Sequence, residues 1–237
     1  MILNSTGMKM NKHECDLQSC FLCKLCLKEW LPAIAAARKT LHVKKGTVIF
    51  EEDSPVEGIY FVYEGKVKVH KKWGAGKELI VRIAGKGAIL GHRGLGKSMR
   101  YPISATALEV STVCFIDLAF FHATLKVNND FAYRLMMFFA EELQESEKNM
   151  RNLAHMTVKG RVAQALIMLQ EKFGVTETGC IAISLSRQDL ASLAGTTYET
   201  VFRIMNELAQ ESIVAAANKD IRIVNSEKLL RLTDETV

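Results

Sequence analysis

No stretch of the sequence approaches the roughly 20 consecutive apolar residues that a membrane-spanning helix needs, which excludes a helical membrane protein. The opening Met1-Ile-Leu-Asn-Ser-Thr-Gly7 lacks a basic region followed by a long apolar run, so the expectation is a cytoplasmic chain without an export signal. No Ser/His/Asp or paired-carboxylate constellation, phosphate loop or nucleophile motif can be traced, so the expectation is not an enzyme. Internal repeats and low-complexity segments are absent as well. Cysteine is scarce except at one end. Six thiols without an export signal argue for reduced side chains over a disulfide framework.

What is present is a globular composition: 237 residues, 49% hydrophobic, with a net charge of +5 that favours a polyanionic partner. That length suits one large or two modest domains. From about residue 40 to 117, short alternating runs (47–50, 59–63, 66–70, 79–83, 112–116) are broken by glycine. Strands spaced so closely predict a small antiparallel sandwich or barrel without a substantial helix. From about 128 to 154 glycine disappears, and Ala132, Met136, Phe139, Leu143, Ser146, Met150 and Leu153 alternate in steps of four and three. A seam of period 3.5 marks helices that pair, which predicts a homodimer joined along Met136, Phe139, Leu143, Met150 and Leu153. The competing reading packs this helix on its own barrel.

Beyond residue 156, Val162, Ala165, Leu166 and Leu169 form one helix stripe, and residues 180–184 read as a short strand. Two short helices then meet at Gly195, the first capped by Ser186 with Asp189, and a hairpin of 213–217 with 221–224 follows. A helix pair followed by a hairpin is a winged helix-turn-helix. On the second helix Glu199 and Arg203 lie one turn apart, opposite the core stripe of Val201, Ile204, Met205 and Leu208. An acceptor beside a bidentate donor suits cytosine N4 and guanine O6/N7 in a DNA major groove, and Phe202 suits a thymine methyl. Two plainer readings compete: an i,i+4 ion pair between Glu199 and Arg203, or a capping box of Thr196 with Glu199.

The leader Cys15-x4-Cys20-x2-Cys23-x2-Cys26 crowds four soft donors together, a pattern suited to an iron–sulfur cluster or tetrahedral zinc. Taken alone, these thiols also suit an iron–sulfur electron-transfer protein, an alternative that the helix-turn-helix makes remote. Cys114, taken by itself, reads as a small buried residue on a strand, and Cys180 reads as core.

The segments Ile59-Tyr-Phe-Val-Tyr-Glu-Gly-Lys-Val-Lys-Val69, Gly85-Lys-Gly-Ala-Ile-Leu-Gly91, Ser104-Ala-Thr-Ala-Leu-Glu109, Ser186-Arg-Gln-Asp-Leu190 and Glu199-Thr-Val-Phe-Arg203 carry a resemblance. In this order of barrel, long helix and winged helix-turn-helix, nearly the whole chain resembles the CRP/FNR family of bacterial transcription regulators. The resemblance implies an α+β fold with four parts. These are a cysteine-rich leader (1–34), an antiparallel β-roll or jelly-roll sensor domain (35–127), a dimerisation helix (128–154) and a C-terminal winged helix-turn-helix (155–237). It implies a homodimer on double-stranded DNA with a palindromic operator, with RNA polymerase as a further candidate partner. Glu199 and Arg203 fall on base-reading positions, while Gln188, Thr197 and Thr200 fall on positions that contact phosphates. Tyr198 and Phe202 sit among the base readers but depart from the residues common in the best-known branches, which leaves the outer bases of the half-site open.

In the cyclic-AMP branch an acidic residue holds the ribose and an Arg-Ser pair the phosphate. Here the matching segment is Gly91-His-Arg-Gly94 followed by Arg100-Tyr-Pro102. The glutamate has become His92 or Arg93 and no serine follows Arg100, so cyclic AMP is not the expected effector, and His92, Arg93 and Arg100 make a weak effector pocket. The FNR branch holds an oxygen-labile cluster on clustered N-terminal cysteines plus one in the barrel, which implies Cys20, Cys23, Cys26 and Cys114 here. The last leader gap is shorter than that branch usually has, which keeps Cys15 open as an alternative ligand and zinc or no metal as alternatives to the cluster. The leading expectation is a dimeric DNA-binding regulator switched by redox, oxygen or nitric oxide. The second is a regulator of the same type answering another small ligand in the barrel, with a structural zinc or metal-free leader.

Overall fold

The structure, a computed structural model, describes residues 16–74, 76–217 and 219–234, together with the backbone of Lys9–Asn11. Strand β1 (Lys9–Asn11) precedes a leader of helix α1 (Phe21–Leu25), a 3-10 turn (Lys28–Trp30) and helix α2 (Leu31–Ala37). Strands β2 (Lys39–Val43), β3 (Val48–Phe50), β4 (Gly58–Glu64), β5 (Val67–Trp73), β6 (Lys77–Ala84), β7 (Ile89–Leu90), β8 (Ser104–Ala107) and β9 (Ser111–Asp117) follow. Helices α3 (Leu118–Val127) and α4 (Asn129–His155) lead to α5 (Val158–Phe173), α6 (Arg187–Ala194) and α7 (Tyr198–Gln210). Hairpin β10 (Val214–Ala217) and β11 (Asp220–Ile223) and helix α8 (Ser226–Arg231) complete the order. This is the expected α+β arrangement of β-roll, long helix and winged helix-turn-helix. The chain divides into two compact units: Val81–Glu141 with the residues up to Gly76, and Glu142 onward with Lys77–Ile80.

In the first unit, sheets of order β1-β2-β9-β4-β7 and β3-β8-β5-β6 enclose the core. Val62, Val67, Ala105 and Val113 are fully buried there, each on an inward position of the two-residue strand period. Between them Phe50 stacks on Tyr101 (4.2 Å between centroids) and on Tyr60 (5.5 Å), so aromatic side chains fill the roll. Gly65 turns β4 into β5 at φ +90°, where a Cβ would lie 2.2 Å from the Ser111 hydroxyl oxygen. Only glycine fits that approach.

Helix α3 is absent from the sequence reading. Asp117 caps it by accepting from the Phe120 N–H at 3.0 Å, and it buries only Phe121 and Thr124. So narrow a buried face, lying between a strand and a long helix, leaves little periodic signal. Helix α4 runs 27 residues and starts by burying Phe131 and Leu135 in the first unit.

In the second unit α5 buries Val162, Ala163, Ala165, Leu166 and Leu169, and the wing strands pair antiparallel from Val214↔Ile223 to Ala217↔Asp220. Residues 180–184 are not the expected strand: Ile181 makes one bridge to Val175 and donates its N–H to the Ile221 carbonyl at 2.8 Å. Ile181 and Ile183 point inward as alternation requires, but this segment finds a neighbouring backbone at too few points for a ladder. Cys180 is half-buried and not in the core. Among the described residues no helix is long and apolar enough to cross a membrane.

Candidate nucleic-acid interface and cysteine cluster

Helix α6 starts at Ser186, whose hydroxyl accepts from the Asp189 N–H at 3.0 Å and donates to the Asp189 carboxylate at 2.5 Å. It stops at Gly195, left-handed at φ +63°, with Leu153 packed where a Cβ would stand. Arg161 of α5 fixes this corner. Its guanidinium donates to the carbonyls of Ala194 (2.9 Å), Gly195 (3.4 Å) and Met156 (2.9 Å). These are end-of-helix carbonyls that would otherwise lack donors. One side chain therefore ties the turn between α6 and α7 to the end of α4.

Helix α7 is capped by Thr197, whose hydroxyl accepts from the Thr200 N–H at 3.3 Å and lies 3.1 Å from the Thr200 hydroxyl. The cap is thus Thr197 with Thr200, and not the alternative of Thr196 with Glu199. Val201, Ile204, Met205 and Leu208 are buried, while Tyr198, Glu199, Phe202, Arg203 and Asn206 face outward. Glu199 and Arg203 do not pair. Arg203 donates instead to Glu207 at 2.5 Å, one turn further on. The Glu199 carboxyl is held below the usual carboxylate range by its own backbone N–H, aided by the Thr197 hydroxyl. It is therefore an ionised acceptor at neutral pH, which is what a cytosine amino group requires.

Gln188 is exposed on the first turn of α6. Arg187 beside it was not singled out by the sequence pattern. Its Nη1 is buried without a hydrogen-bond partner among the described residues, and burial lowers the guanidinium's proton affinity, with Tyr198 acting in the opposite direction.

Cys20, Cys23, Cys26 and Cys114 are all buried and share one apolar cluster with Ile59, Phe61, Phe121, Phe131 and Leu135. Cys20 caps α1, its sulfur accepting from the Cys23 N–H at 3.4 Å, and Cys114 lies on β9 opposite Phe61 of β4. Burial, with Cys20 nearby, pushes the Cys26 thiol up to about 12. Cys15, the alternative ligand, lies outside the described residues. Among those described, no three Cys, His, Asp or Glu side chains converge as on a single metal ion.

Uncharged contacts seat the leader. The Phe21 N–H donates to the Gly87 carbonyl (3.0 Å), the Leu27 N–H to the Asn128 side-chain carbonyl (2.8 Å) and the Trp30 indole to the Thr124 hydroxyl (3.0 Å).

The three weak effector residues differ in burial. His92 is 2% exposed, with its ring against Phe138 (5.2 Å) and Phe139 (5.4 Å) of α4. Arg93 is half-buried, and Arg100 is exposed and donates to the Asp53 carbonyl. Along α4, Met136, Leu143, Met150 and Leu153 are 58%, 61%, 59% and 41% exposed, and Tyr133 and Met137 extend that row. Phe139 departs from it, turned toward His92 as the competing reading of the seam allows.

Residues 40–128 match the cyclic nucleotide-binding domain and residues 160–232 the Crp-like helix-turn-helix domain. A CRP-like cAMP-activated global transcriptional regulator of Mycobacterium tuberculosis is 26% identical over 204 residues, covering 84% of this chain and 91% of that protein. The cAMP-activated global transcriptional regulator CRP of Salmonella typhimurium is 31% identical over 185 residues, covering 76% and 86%. The structure of FixK2 from Bradyrhizobium japonicum superposes with a TM-score of 0.73 at 25% identity, over 82% of this chain and 96% of that one. With the cyclic nucleotide-binding domain, the long helix and the helix-turn-helix in this order, the chain belongs to the CRP/FNR family and is a DNA-binding transcription regulator.

Proposed function

We propose that the chain acts as a homodimer on a palindromic operator, and that its DNA affinity is set by redox, oxygen or nitric oxide at an iron–sulfur cluster held by Cys20, Cys23, Cys26 and Cys114. The observation that carries this reading is the gathering of three leader thiols and one β9 thiol into one buried cluster. Four protein sulfurs in an apolar setting suit a cluster. The same crowded thiols would also suit tetrahedral zinc, so the metal content decides between the two. Burial pushes the Cys26 thiol up to about 12, so a metal centre bound there would have to displace its proton. When bound, the cluster would supply an oxygen-sensitive, redox-active centre.

The chain's own residues would do the rest. Phe21, between Cys20 and Cys23, touches Phe131 and Phe138 of α4, so a change at the thiols reaches the helix that carries the exposed Met136–Leu143–Met150 row. A second copy laid on that row would place two α7 helices on one duplex, and Glu199 and Arg203 would read each half-site. RNA polymerase is the natural recipient of such a regulator's output. The named relatives are cAMP-activated, but His92, which with Arg93 is one of the two candidates for the ribose-contacting position, packs against Phe138 and Phe139 here. That burial supports an effector other than cyclic AMP.

The test is to purify the protein without oxygen, record its visible spectrum, assay iron and sulfide, and then admit air while following operator binding. A brown chromophore that bleaches as binding changes supports the reading. A colourless protein containing zinc, or no metal, moves the sensing to another ligand in the barrel.

A further inference from the structure

We propose that Tyr198 and Phe202 form an aromatic plate that reads thymine methyl groups, so that each half-site carries A·T pairs beside the G·C pair read by Glu199 and Arg203. The inference rests on α7 being the DNA-reading helix. The two rings stack on each other, 6.3 Å between centroids and 19° between planes. They are 44% and 51% exposed on a helix whose opposite side is core. Four residues apart, they make a row parallel to Glu199 and Arg203, and no hydrogen-bonding atom lies on the Phe202 ring.

A major groove offers an exposed phenyl ring one apolar substituent, the C5 methyl of thymine, set among donors, acceptors and bare ring C–H edges. Either pair beneath Phe202 loses water from its amino and carbonyl groups, and only A·T offers a methyl to offset that loss, so the plate favours thymine. The ring separation of 6.3 Å covers about two base steps of about 3.4 Å each. The thymines therefore fall within a window of about three base pairs, on the side of the half-site nearest the start of α7.

The test begins by selecting bound duplexes from a random pool with the full-length protein. Each thymine of the enriched half-site is then replaced by uracil, which keeps every hydrogen-bonding group and removes only the methyl. The expected loss is about four-fold at each thymine under the plate, the factor for burying one methyl-sized group, and none elsewhere. In Phe202→Ala and Tyr198→Ala the thymine-to-uracil ratio at those positions falls to one. Both side chains are surface residues, so these variants keep the fold. Enriched duplexes that tolerate uracil everywhere, or alanine variants with an unchanged ratio, overturn the plate while leaving DNA reading intact. A pool that yields no enriched duplex overturns both.

Discussion

The rings of Phe21 and Phe138 lie 5.2 Å apart, and Phe138 also meets the His92 ring at 5.2 Å and the Arg82 guanidinium at 5.9 Å. One side chain of α4 is thus wedged between the cysteine-bearing leader and two elements of the roll. A change in how Cys20 and Cys23 are held has a short mechanical route to the long helix. Phe138→Ala is expected to cost about 2 kcal/mol of stability. It should also flatten the difference in operator affinity between protein kept from air and protein exposed to it, with the visible spectrum unchanged. Operator titrations with and without air check this.

Arg161 and Lys159 neighbour each other on α5 and predict opposite outcomes. Arg161→Ala strips donors from the Ala194 and Gly195 carbonyls at the turn between α6 and α7 and from the Met156 carbonyl after α4. A loss of about 1–3 kcal/mol is expected, with weakened DNA binding. Lys159→Ala removes an ion pair to Glu211 whose carboxylate is 49% exposed, worth less than about 1 kcal/mol. Thermal unfolding of both variants separates the two.

Arg203 is engaged by Glu207 before any DNA arrives. Arg203→Ala is expected to cost about 1–3 kcal/mol of operator binding and to relax discrimination at one base pair. Glu207→Ala, which frees the guanidinium, should leave the preferred base unchanged. Competition binding against single-base operator variants reads both.

Tyr60 sets an alkaline limit. Burial, reinforced by Tyr101 and Glu57, holds its hydroxyl above the ordinary value of 10.0. A group whose folded value is raised lends its stability fully below the unfolded value, and that contribution fades as pH climbs toward the folded one. Stability should therefore fall above about pH 10, at up to about 1.4 kcal/mol per pH unit. Tyr60→Phe should shrink that fall, as denaturant unfolding across pH 9 to 11 would report.

Strong periodicity explains most of what was legible in the chain. The α4 seam, the α7 stripe of Val201, Ile204, Met205 and Leu208, and the Ser186 and Gly195 signals each speak through one local rule. The misses share a cause too. Helix α3 and the segment from Cys180 to Ser184 are settled by what they dock against, which no local spacing reveals. Phe139 fits the heptad count yet faces His92, because the start of α4 serves the roll as well as the exposed row. Arg203 takes Glu207 in preference to Glu199, since Glu199 is already engaged at the start of α7. The pairing of Cys114 with the leader thiols followed from resemblance alone, the spacing within the leader being silent on a residue so far along the chain.

The central claim is that cysteine chemistry in the leader governs DNA reading by a dimer. Its most direct test is sedimentation and operator binding on one anaerobic sample, repeated after air and again on Cys23→Ser. The account predicts an air-dependent change in dimer population that tracks operator affinity, and no such change in Cys23→Ser. Equal binding in all three samples, or a monomer that ignores every palindromic duplex, would contradict it.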